Sequence, residues 1–304
     1  MDYNQVSIVI PTFNRSGYLK QCILSCLDQT HPCEIIVCDH GSTDDTPQMM
    51  SQFNGQVTYI RRELDSGVHF CWMDGILHAS HDLVHINYDD DWIEPTFIEK
   101  CIKLFDDSVG CVFTNVGAYE DANDAYTGTI LNLNQQTGVY PADNLIFRNL
   151  FGLTSPGAGI HRKKVLIDNL FIGKIPFTKK EYRGVGPDLL FTLMTCAGYE
   201  NYGYVSEVLC TFRVHETSIT TNALNDAVKR QKLENAYDDA RKFYFITKMV
   251  AKLNLYGAAG QALRLRKKYY GTKYLASNGL IMATISLKFK RLGKQLVALA
   301  NRRK

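Results

Sequence analysis

The chain has 304 residues, of which 45% are apolar and 21% are charged, and this composition excludes a disordered or a fibrous protein. The net charge of +3 hides an asymmetry: the chain from Ala240 onward has 16 Lys and Arg and no Asp or Glu. The first 239 residues therefore carry 18 basic and 31 acidic side chains, a balance of −13. Two parts of opposite charge indicate two kinds of partner, namely cations for the acidic part and an anionic surface for the basic part.

The opening sequence "MDYNQVSIVI" lacks the basic start, apolar stretch and cleavage site of a signal peptide. The longest apolar run, "LIMATISL", is much shorter than the ~20 residues that a membrane-spanning helix needs. The nine cysteines are scattered, and no Cys or His pair in the sequence completes a zinc site. We therefore expect a cytosolic protein whose thiols are reduced and buried.

Strand-like and helix-like segments alternate through the first 120 residues. The apolar and β-branched run Val6–Ile10 is typical of a strand that is covered on both faces. Strands are predicted at residues 6–10, 34–39, 57–62, 83–87 and 110–119. Repeated βα units of this kind predict an α/β fold with a mainly parallel sheet and helices on both faces.

Polar clusters follow four of these strands. They are Thr12, Asn14 and Arg15; Asp39; Arg61 and Asp65; and Asp89, Asp90 and Asp91. In such sheets, ligands bind at the carboxyl ends of the strands. We therefore expect the four clusters to form one site.

The three consecutive aspartates are the strongest chemical signal. Carboxylates at positions 89 and 91 of an extended segment project to the same side. Mg²⁺ and Mn²⁺ typically bind one or two carboxylates together with substrate phosphates, and such a cation offsets the charge that develops on a diphosphate leaving group. The alternative is a solvated acidic turn, or a cap for the helix that begins near Pro95.

The second half of the chain is less regular between residues 120 and 187. A helix is predicted after Pro187, a last strand in "YVSEVLCTFRVH", and helix from Asn225 onward. Apolar residues recur on one helical face of the segment 281–299, with basic residues largely opposite. The apolar set is Ile281, Ile285, Phe289, Leu292, Leu296 and Leu299.

A basic amphipathic helix can lie in the interface of an anionic bilayer. One alternative is that the apolar face of 281–299 packs against the rest of the protein. Nucleic-acid binding is another, because tyrosines interleave with basic residues in the segment 266–274. The sequence contains no recognised nucleic-acid motif, so we expect no nucleic-acid partner.

An ordered set of motifs resembles a known family. The segments "VSIVIPTFNRSGYLKQCILSCLDQ", "EIIVCDHGSTDDT", "LDSGV" and "NYDDDW" resemble the large inverting family 2 glycosyltransferases of bacterial surface-polysaccharide type. The resemblance implies a GT-A fold, a Rossmann-like nucleotide-diphospho-sugar transferase domain, over residues 1–222. Its nucleotide-binding half is residues 1–120, its acceptor-binding half is residues 121–222, and residues 223–304 form a helical basic extension.

The resemblance also implies roles for individual residues. Nine residues match the nucleotide-sugar site: Pro11, Thr12, Asn14, Arg15, Asp39, Asp65, Asp89, Asp90 and Arg213. Asp89, Asp91 and His215 match the ligands of Mn²⁺ or Mg²⁺, and Asp188 in "GVGPDLLFTLMTCAGYE" matches the catalytic base.

Physical chemistry is consistent with these roles, but each has an alternative. A carboxylate at Asp39 can accept the imide N–H of uracil, although a turn aspartate can also bind its own loop. A helix N-terminus would hold Asp188 ionised, as a base requires, although Asp in the first turn is also a common cap. Arg15 could be an exposed residue at a helix start, and His215 could be structural.

Three residues depart from the family pattern. His40 stands where a second Asp is usual, Met73 stands where Asn is common, and Pro187 stands where an acidic residue often precedes the base. None of these departures removes a carboxylate that the implied mechanism needs.

The resemblance implies an inverting, metal-dependent transfer of a sugar from a UDP-sugar to a hydroxyl of a glycan or lipid-linked glycan. The pathway would be O-antigen-like or capsule-like polysaccharide synthesis, with the enzyme peripheral at the inner face of the plasma membrane. One alternative is a sugar nucleotidyltransferase, which would be expected to carry a Gly-rich, Lys- or Arg-bearing loop after the first strand. Another is a non-catalytic nucleotide-sugar-binding protein, which has no need of Asp188.

Overall fold

The computed structural model describes residues 3–172, 174–175, 178, 185–216, 218 and 226–256. The chain divides into two units, one that ends at Arg241 and one that begins at Lys242. The amphipathic segment predicted at 281–299 and the basic tyrosine-rich segment 266–274 lie outside the described residues.

The described elements alternate between strands and helices. The strands are β1 Val6–Thr12, β2 Glu34–Asp39, β3 Thr58–Arg61, β4 Leu83–Ile86, β5 Trp92–Ile93, β6 Val109–Glu120, β7 Ala125–Leu131, β8 Gly138–Pro141, β9 Gly159–Arg162 and β10 Asn201–Val214. The helices are α1 Ser16–Leu27, α2 Thr46–Met50, α3 Val68–His78, α4 Phe97–Ile102, α5 Ala142–Phe151, α6 Lys163–Asn169, α7 Pro187–Gly198 and α8 Ala227–Tyr256. Two short 3₁₀ helices cover Ser51–Phe53 and Pro156–Ala158.

Ten strands of the described chain form one sheet, in the order β3-β2-β1-β4-β9-β6-β10-β5, with β7 beside β6 and β8 beside β10. The first four strands in this order are mutually parallel, as predicted from the βα units. β9 runs antiparallel to both of its neighbours and joins this parallel half to the parallel pair β6 and β10. The α/β prediction is confirmed, with a sheet that is mixed as a whole.

The core explains why the parallel half is regular. All seven residues of β1 are buried, which matches its uninterrupted apolar sequence. Helix α3 packs directly on β1 and β2, because a side chain at Gly75 would come within 2.3 Å of Val9 and 2.8 Å of Cys38. This close packing fixes the second half of α3 against the sheet.

The described residues of the region 120–187 contain more regular structure than the sequence predicted. They include β7, β8, α5, β9 and α6. β9 has four residues, "GIHR", which is too short to show a periodic pattern. It nevertheless lies in the middle of the sheet, between β4 and β6. It packs closely there, because a Cβ at Gly159 would lie 2.2 Å from the carbonyl oxygen of Val112. Tertiary packing therefore specifies this strand.

Two expectations about the whole chain can be compared with the structure. All nine cysteines are free thiols, and each except Cys33 is buried, as predicted. Within the described residues, no helix is both long enough and apolar enough to cross a membrane.

Candidate active site

The polar clusters that follow β1 and β4 are in direct contact. Thr12 Oγ1 donates a 2.8 Å hydrogen bond to Asp89 Oδ2, because β1 and β4 are parallel neighbours whose carboxyl ends meet. Arg15 Nη1 lies 3.0 Å from Asp89 Oδ1 and 2.7 Å from Asp90 Oδ2. The predicted meeting of these residues is therefore observed.

The three aspartates lie in a turn and not in an extended segment. The strand ends at Ile86, and the N–H of Asp91 donates to the carbonyl of Tyr88 at 3.1 Å. The alternation argument for Asp89 and Asp91 was therefore wrong, because residues in a turn do not alternate between two sides. Both side chains nevertheless belong to the site, and each residue is 6% exposed.

Burial and mutual repulsion set the charge state of this aspartate turn, residues 89–91. Burial raises the pKa of Asp89 to about 6 in spite of the opposing charge of Arg15. Burial, followed by the charge of Asp90, raises the pKa of Asp91 well above its usual range. Burial also acts to raise the pKa of Asp90, but the hydrogen bond with His215 and the charge of Arg15 outweigh it and lower that pKa. The positive charge of Arg15 therefore does not fully offset the burial and mutual repulsion of the carboxylates in this turn.

Arg213 and His215 approach the same turn from β10. His215 Nε2 lies 2.9 Å from Asp90 Oδ2, and the backbone N–H of Arg213 donates to Asp91 Oδ1 at 2.9 Å. The guanidinium of Arg213 binds Asp121 and Gln21 and lies over the ring of Tyr18. Its Nε donates to the carbonyl of Asp90 at 3.1 Å, so the guanidinium braces the turn. The phosphate role of Arg213 and the metal role of His215 stay predictions.

Asp39 is saturated by its own surroundings. Its Oδ1 accepts the N–H groups of Gly41 at 3.1 Å and Ser42 at 2.8 Å, and its Oδ2 accepts the hydroxyl of Tyr59 at 2.6 Å. The side chain is 0% exposed. This is the geometry of a turn aspartate that shapes its loop, and the uracil contact stays a prediction. Sequence reasoning missed Tyr59, which could have been found from its place on the neighbouring strand.

Asn14 and Asp65 both contact the loop that follows β2. Asn14 has a left-handed backbone with φ of 55°, and its Oδ1 accepts the N–H of Thr43 at 2.7 Å. Asp65 Oδ1 accepts the N–H of Gly67 at 2.6 Å and lies 2.7 Å from His40 Nδ1. His40, which departs from the family pattern, is thus paired with a predicted site residue. Pro11 is buried within β1.

Asp188 lies at the start of α7, which begins at Pro187 after a Gly186 with φ of +96°. Its Oδ1 accepts the N–H groups of Gly186 at 2.7 Å and Leu189 at 2.8 Å. Its Oδ2 accepts no hydrogen bond from the described part of the chain. One carboxylate oxygen therefore orients the side chain, and the other is available to a ligand.

The carboxyl group of Asp188 is harder to ionise than its place at a helix N-terminus predicted. Burial raises its pKa to about 6, although the backbone N–H groups of Leu189 and Gly186 act to lower it. Burial therefore outweighs the stabilisation expected from a helix N-terminus. Asp188 in turn is the second cause, after burial, of the raised pKa of Tyr88 and of Tyr237. Both tyrosines thus lie near the carboxylate, and neither was identified from the sequence.

The side chains of the aspartate turn can be compared with the ligands that a divalent metal ion prefers. In the described chain there is no group of three or more His, Cys, Asp or Glu side chains that could hold a metal by itself. Asp89 and Asp91 nevertheless offer hard oxygen donors, and their raised pKa values show that added positive charge would stabilise them. These residues fit a cation that binds two carboxylates and completes its shell with substrate oxygens.

Comparison with known proteins agrees with the fold and identifies the family. The sequence matches the family model described as "Glycosyl transferase family 2" over residues 7–166, which is 160 of 304 residues. The fold resembles the crystal structure of S. aureus TarS 1–349 in complex with UDP-GlcNAc, with a TM-score of 0.58 at 16% identity. That match covers 87% of this chain and 78% of the other, and it confirms the predicted GT-A fold.

Two relatives illustrate the range of the similarity. A chondroitin synthase of Pasteurella multocida is 31% identical over 114 residues, which are 36% of this chain but only 12% of that longer protein. A putative teichuronic acid biosynthesis glycosyltransferase, TuaG of Bacillus subtilis, is 26% identical over 230 residues, covering 74% of this chain and 84% of the relative. Because the family model covers more than half of the chain and the fold agrees, this protein belongs to glycosyl transferase family 2.

Proposed function

We propose that this protein is an inverting glycosyltransferase that moves a sugar from a UDP-sugar to a hydroxyl of a glycan acceptor during surface polysaccharide synthesis. The observation that carries the proposal is Asp188, a buried carboxylate with one oriented oxygen, one oxygen available to a ligand, and a raised pKa. Family membership supports sugar transfer. The S. aureus TarS structures in complex with UDP and with UDP-GlcNAc support a UDP-sugar donor.

The donor nucleotide would occupy the carboxyl edge of β1, β2 and β3. Arg15 is a partner for the diphosphate, because its guanidinium already lies among the charged groups of the aspartate turn. Asn14 and Asp39 shape the loops that would surround the base. Pro11, Thr12, Asp65, Asp90 and Arg213 complete the set assigned to the donor by resemblance.

Asp89 and Asp91 would hold Mn²⁺ or Mg²⁺, with His215 as a candidate third ligand. When bound, the cation would offset the negative charge that develops on the departing diphosphate. The raised pKa values of Asp89 and Asp91 support this assignment, since a cation relieves the cost of burying these carboxylates together.

Asp188 would act as the general base. Its Oδ2 takes the proton of the acceptor hydroxyl as the hydroxyl oxygen bonds to the anomeric carbon of the donor sugar. The bond from that carbon to the diphosphate oxygen breaks, and its electron pair leaves with UDP. The products are a glycoside of inverted configuration, UDP and protonated Asp188. A pKa of about 6 suits this role, because the carboxylate is ionised at neutral pH and still basic.

The acceptor and the cellular location extend the proposal. A catalytic domain over residues 1–222 would bind the acceptor, a glycan or lipid-linked glycan, with its half 121–222. The basic extension, residues 223–304, would bind an anionic membrane surface. This arrangement would keep a cytoplasmic enzyme at the inner face of the plasma membrane, and the excess of basic residues after Ala240 supports it.

The test is to incubate the full chain with UDP-sugars, glycan acceptors and Mn²⁺, and to follow UDP release. We expect UDP release that depends on the acceptor, and a β-linked product from an α-linked donor by NMR. Pyrophosphate release from a sugar phosphate and UTP would instead identify a nucleotidyltransferase. Tight UDP-sugar binding without turnover on any acceptor would identify a binding protein.

A further inference from the structure

The start of α3 holds two buried nitrogen atoms that find no hydrogen-bond partner in the described part of the chain. His69 and Trp72 are each 2% exposed. His69 Nε2 and Trp72 Nε1 have no partner among the described residues. The two rings touch edge to face, with centroids 5.2 Å apart. An unpaired buried donor costs about 1–3 kcal/mol, so two in contact indicate a position where a ligand would supply the partner.

This pair lies between the nucleotide edge and the candidate base. Helix α3 begins three residues after Asp65, a predicted donor contact. The Trp72 ring stacks on Tyr88, with centroids 5.7 Å apart, and Tyr88 directly precedes Asp89. Trp72 also contacts Phe191 of α7, the helix that starts at Asp188, at 6.5 Å between centroids. Trp72 therefore links the aspartate turn to the helix that carries the candidate base, and the sugar of the proposed donor would lie between these two sides of the site.

We propose that His69 and Trp72 bind the donor sugar, through hydrogen bonds to a neutral polar substituent such as a hydroxyl or an acetamido group. This inference rests on the proposed transfer from a UDP-sugar. Trp72 Nε1 can only donate, so it requires an acceptor oxygen on the sugar. His69 Nε2 can donate or accept according to its tautomer, which suits a hydroxyl.

The charges near His69 and Trp72 favour a donor sugar whose polar substituent is neutral. Burial lowers the pKa of His69 to about 4, so its imidazole carries no charge at neutral pH. Asp188 begins the helix that Trp72 contacts through Phe191, and its carboxylate adds negative charge to this part of the site. A uronate carboxylate would have to be desolvated against neutral donors beside that charge, which is costly. Hexoses and N-acetylhexosamines are therefore the donor classes that fit.

The Trp72 ring also has a structural role, because it packs in the core with Val9 and Ile86. Trp72→Phe keeps an aromatic ring there and removes the indole N–H, but the smaller side chain leaves a cavity that lowers the stability of the fold. His69→Phe keeps an aromatic ring and removes both imidazole nitrogens. A melting curve of each variant checks that it is folded.

The experiment is calorimetric titration of the full chain with UDP, UDP-glucose, UDP-GlcNAc and UDP-glucuronate in Mn²⁺. We expect each variant to bind UDP with unchanged Kd and to bind the preferred neutral UDP-sugar about tenfold more weakly, as for one lost hydrogen bond. His78→Phe, at the exposed far end of the same helix, is the matched control and should change neither Kd.

Each outcome has a distinct meaning. If both folded variants keep the wild-type ratio of the Kd for UDP to that for the UDP-sugar, the inference is overturned and the proposed function stands. If the wild type prefers UDP-glucuronate to the neutral donors, the neutral pocket is overturned. If the wild type binds neither UDP nor any UDP-sugar, the proposed function fails, and the inference fails with it.

Discussion

The buried carboxylate of Asp39, at the end of β2, and the three carboxylates of the aspartate turn, after β4, are stabilised in different ways on the two sides of β1. Asp39 has neutral donors on both oxygens, from the N–H groups of Gly41 and Ser42 and the hydroxyl of Tyr59, and the guanidinium of Arg61 lies 3.6 Å from its Oδ2. In the aspartate turn, three carboxylates share the guanidinium of Arg15 and the ring of His215. Two of the three have raised pKa values.

The difference separates a carboxylate that shapes a loop from carboxylates that need a further cation. Removing charge at the first should mainly affect stability, because its hydrogen bonds hold the loop. Removing charge at the second should mainly affect catalysis, and should relieve repulsion in the absence of metal. Asp188 resembles the second group, since burial raises its pKa and one oxygen is left for a ligand. The following changes test this division.

The largest effect is expected from Asp188→Asn. Loss of the base should lower kcat by about 10²–10⁴-fold, because an amide cannot take the proton. Calorimetry should show nearly unchanged binding of UDP and Mn²⁺. Asp168→Asn, which changes an exposed aspartate of α6, should leave kcat unchanged. Weak UDP binding by Asp188→Asn would contradict the separation of base and donor site.

Asp91→Asn should have the next largest effect. A lost metal ligand removes several kcal/mol of transition-state stabilisation, so kcat/KM should fall by about 10²–10³-fold and lose its response to Mn²⁺. Without metal, the variant should melt at a higher temperature than the wild type, because one buried like charge is gone. Wild-type protein in chelator should lose activity to a similar level. Full turnover in the presence of chelator would contradict the assignment of Asp91 as a metal ligand.

The pH dependence of stability should show the burial of Asp188. Its folded pKa of about 6 exceeds the ordinary value of 3.8. Stability from this group is therefore complete below pH 3.8 and is lost as the pH rises through 6, by about 3 kcal/mol. Between pH 4 and 7, urea unfolding should show that the wild type loses about 2 kcal/mol more than Asp188→Asn, because part of the change lies below pH 4. The aspartate turn is common to both proteins, so its contribution cancels. Equal slopes would show that Asp188 is not buried as described.

Tyr59→Phe should have the smallest effect and should fall on stability. It removes the hydroxyl that donates to Asp39 Oδ2, so the free energy of unfolding should drop by about 2 kcal/mol. The kcat at saturating donor should be unchanged, since Tyr59 would touch no reacting atom. Tyr126→Phe, at an exposed position, is the control and should leave the unfolding free energy within about 0.5 kcal/mol. A large fall in kcat would place Asp39 with the catalytic carboxylates.

The parallel half of the sheet was predictable from the sequence. Val6–Ile10 and Glu34–Asp39 carry apolar patterns that only a covered strand requires, and both are strands in the structure. The central strand β9 was not predictable, because its four residues are specified by packing between β4 and β6. His69 and Trp72 were not predictable as site residues for the same reason. Their nitrogens lack partners among the described residues, and this becomes apparent only when their packed surroundings are known.

The sequence by itself determined that Thr12, Asp39 and the aspartates after β4 gather at one edge, because βα units bring the carboxyl ends of parallel strands together. Only the tertiary structure decided how each carboxylate is used. Thr12 meets Asp89 across 77 positions of sequence, and Asp90 meets His215 across 125. Burial and hydrogen-bond partners at such separations depend on the packed fold, and they set which carboxylate holds a loop and which awaits a ligand.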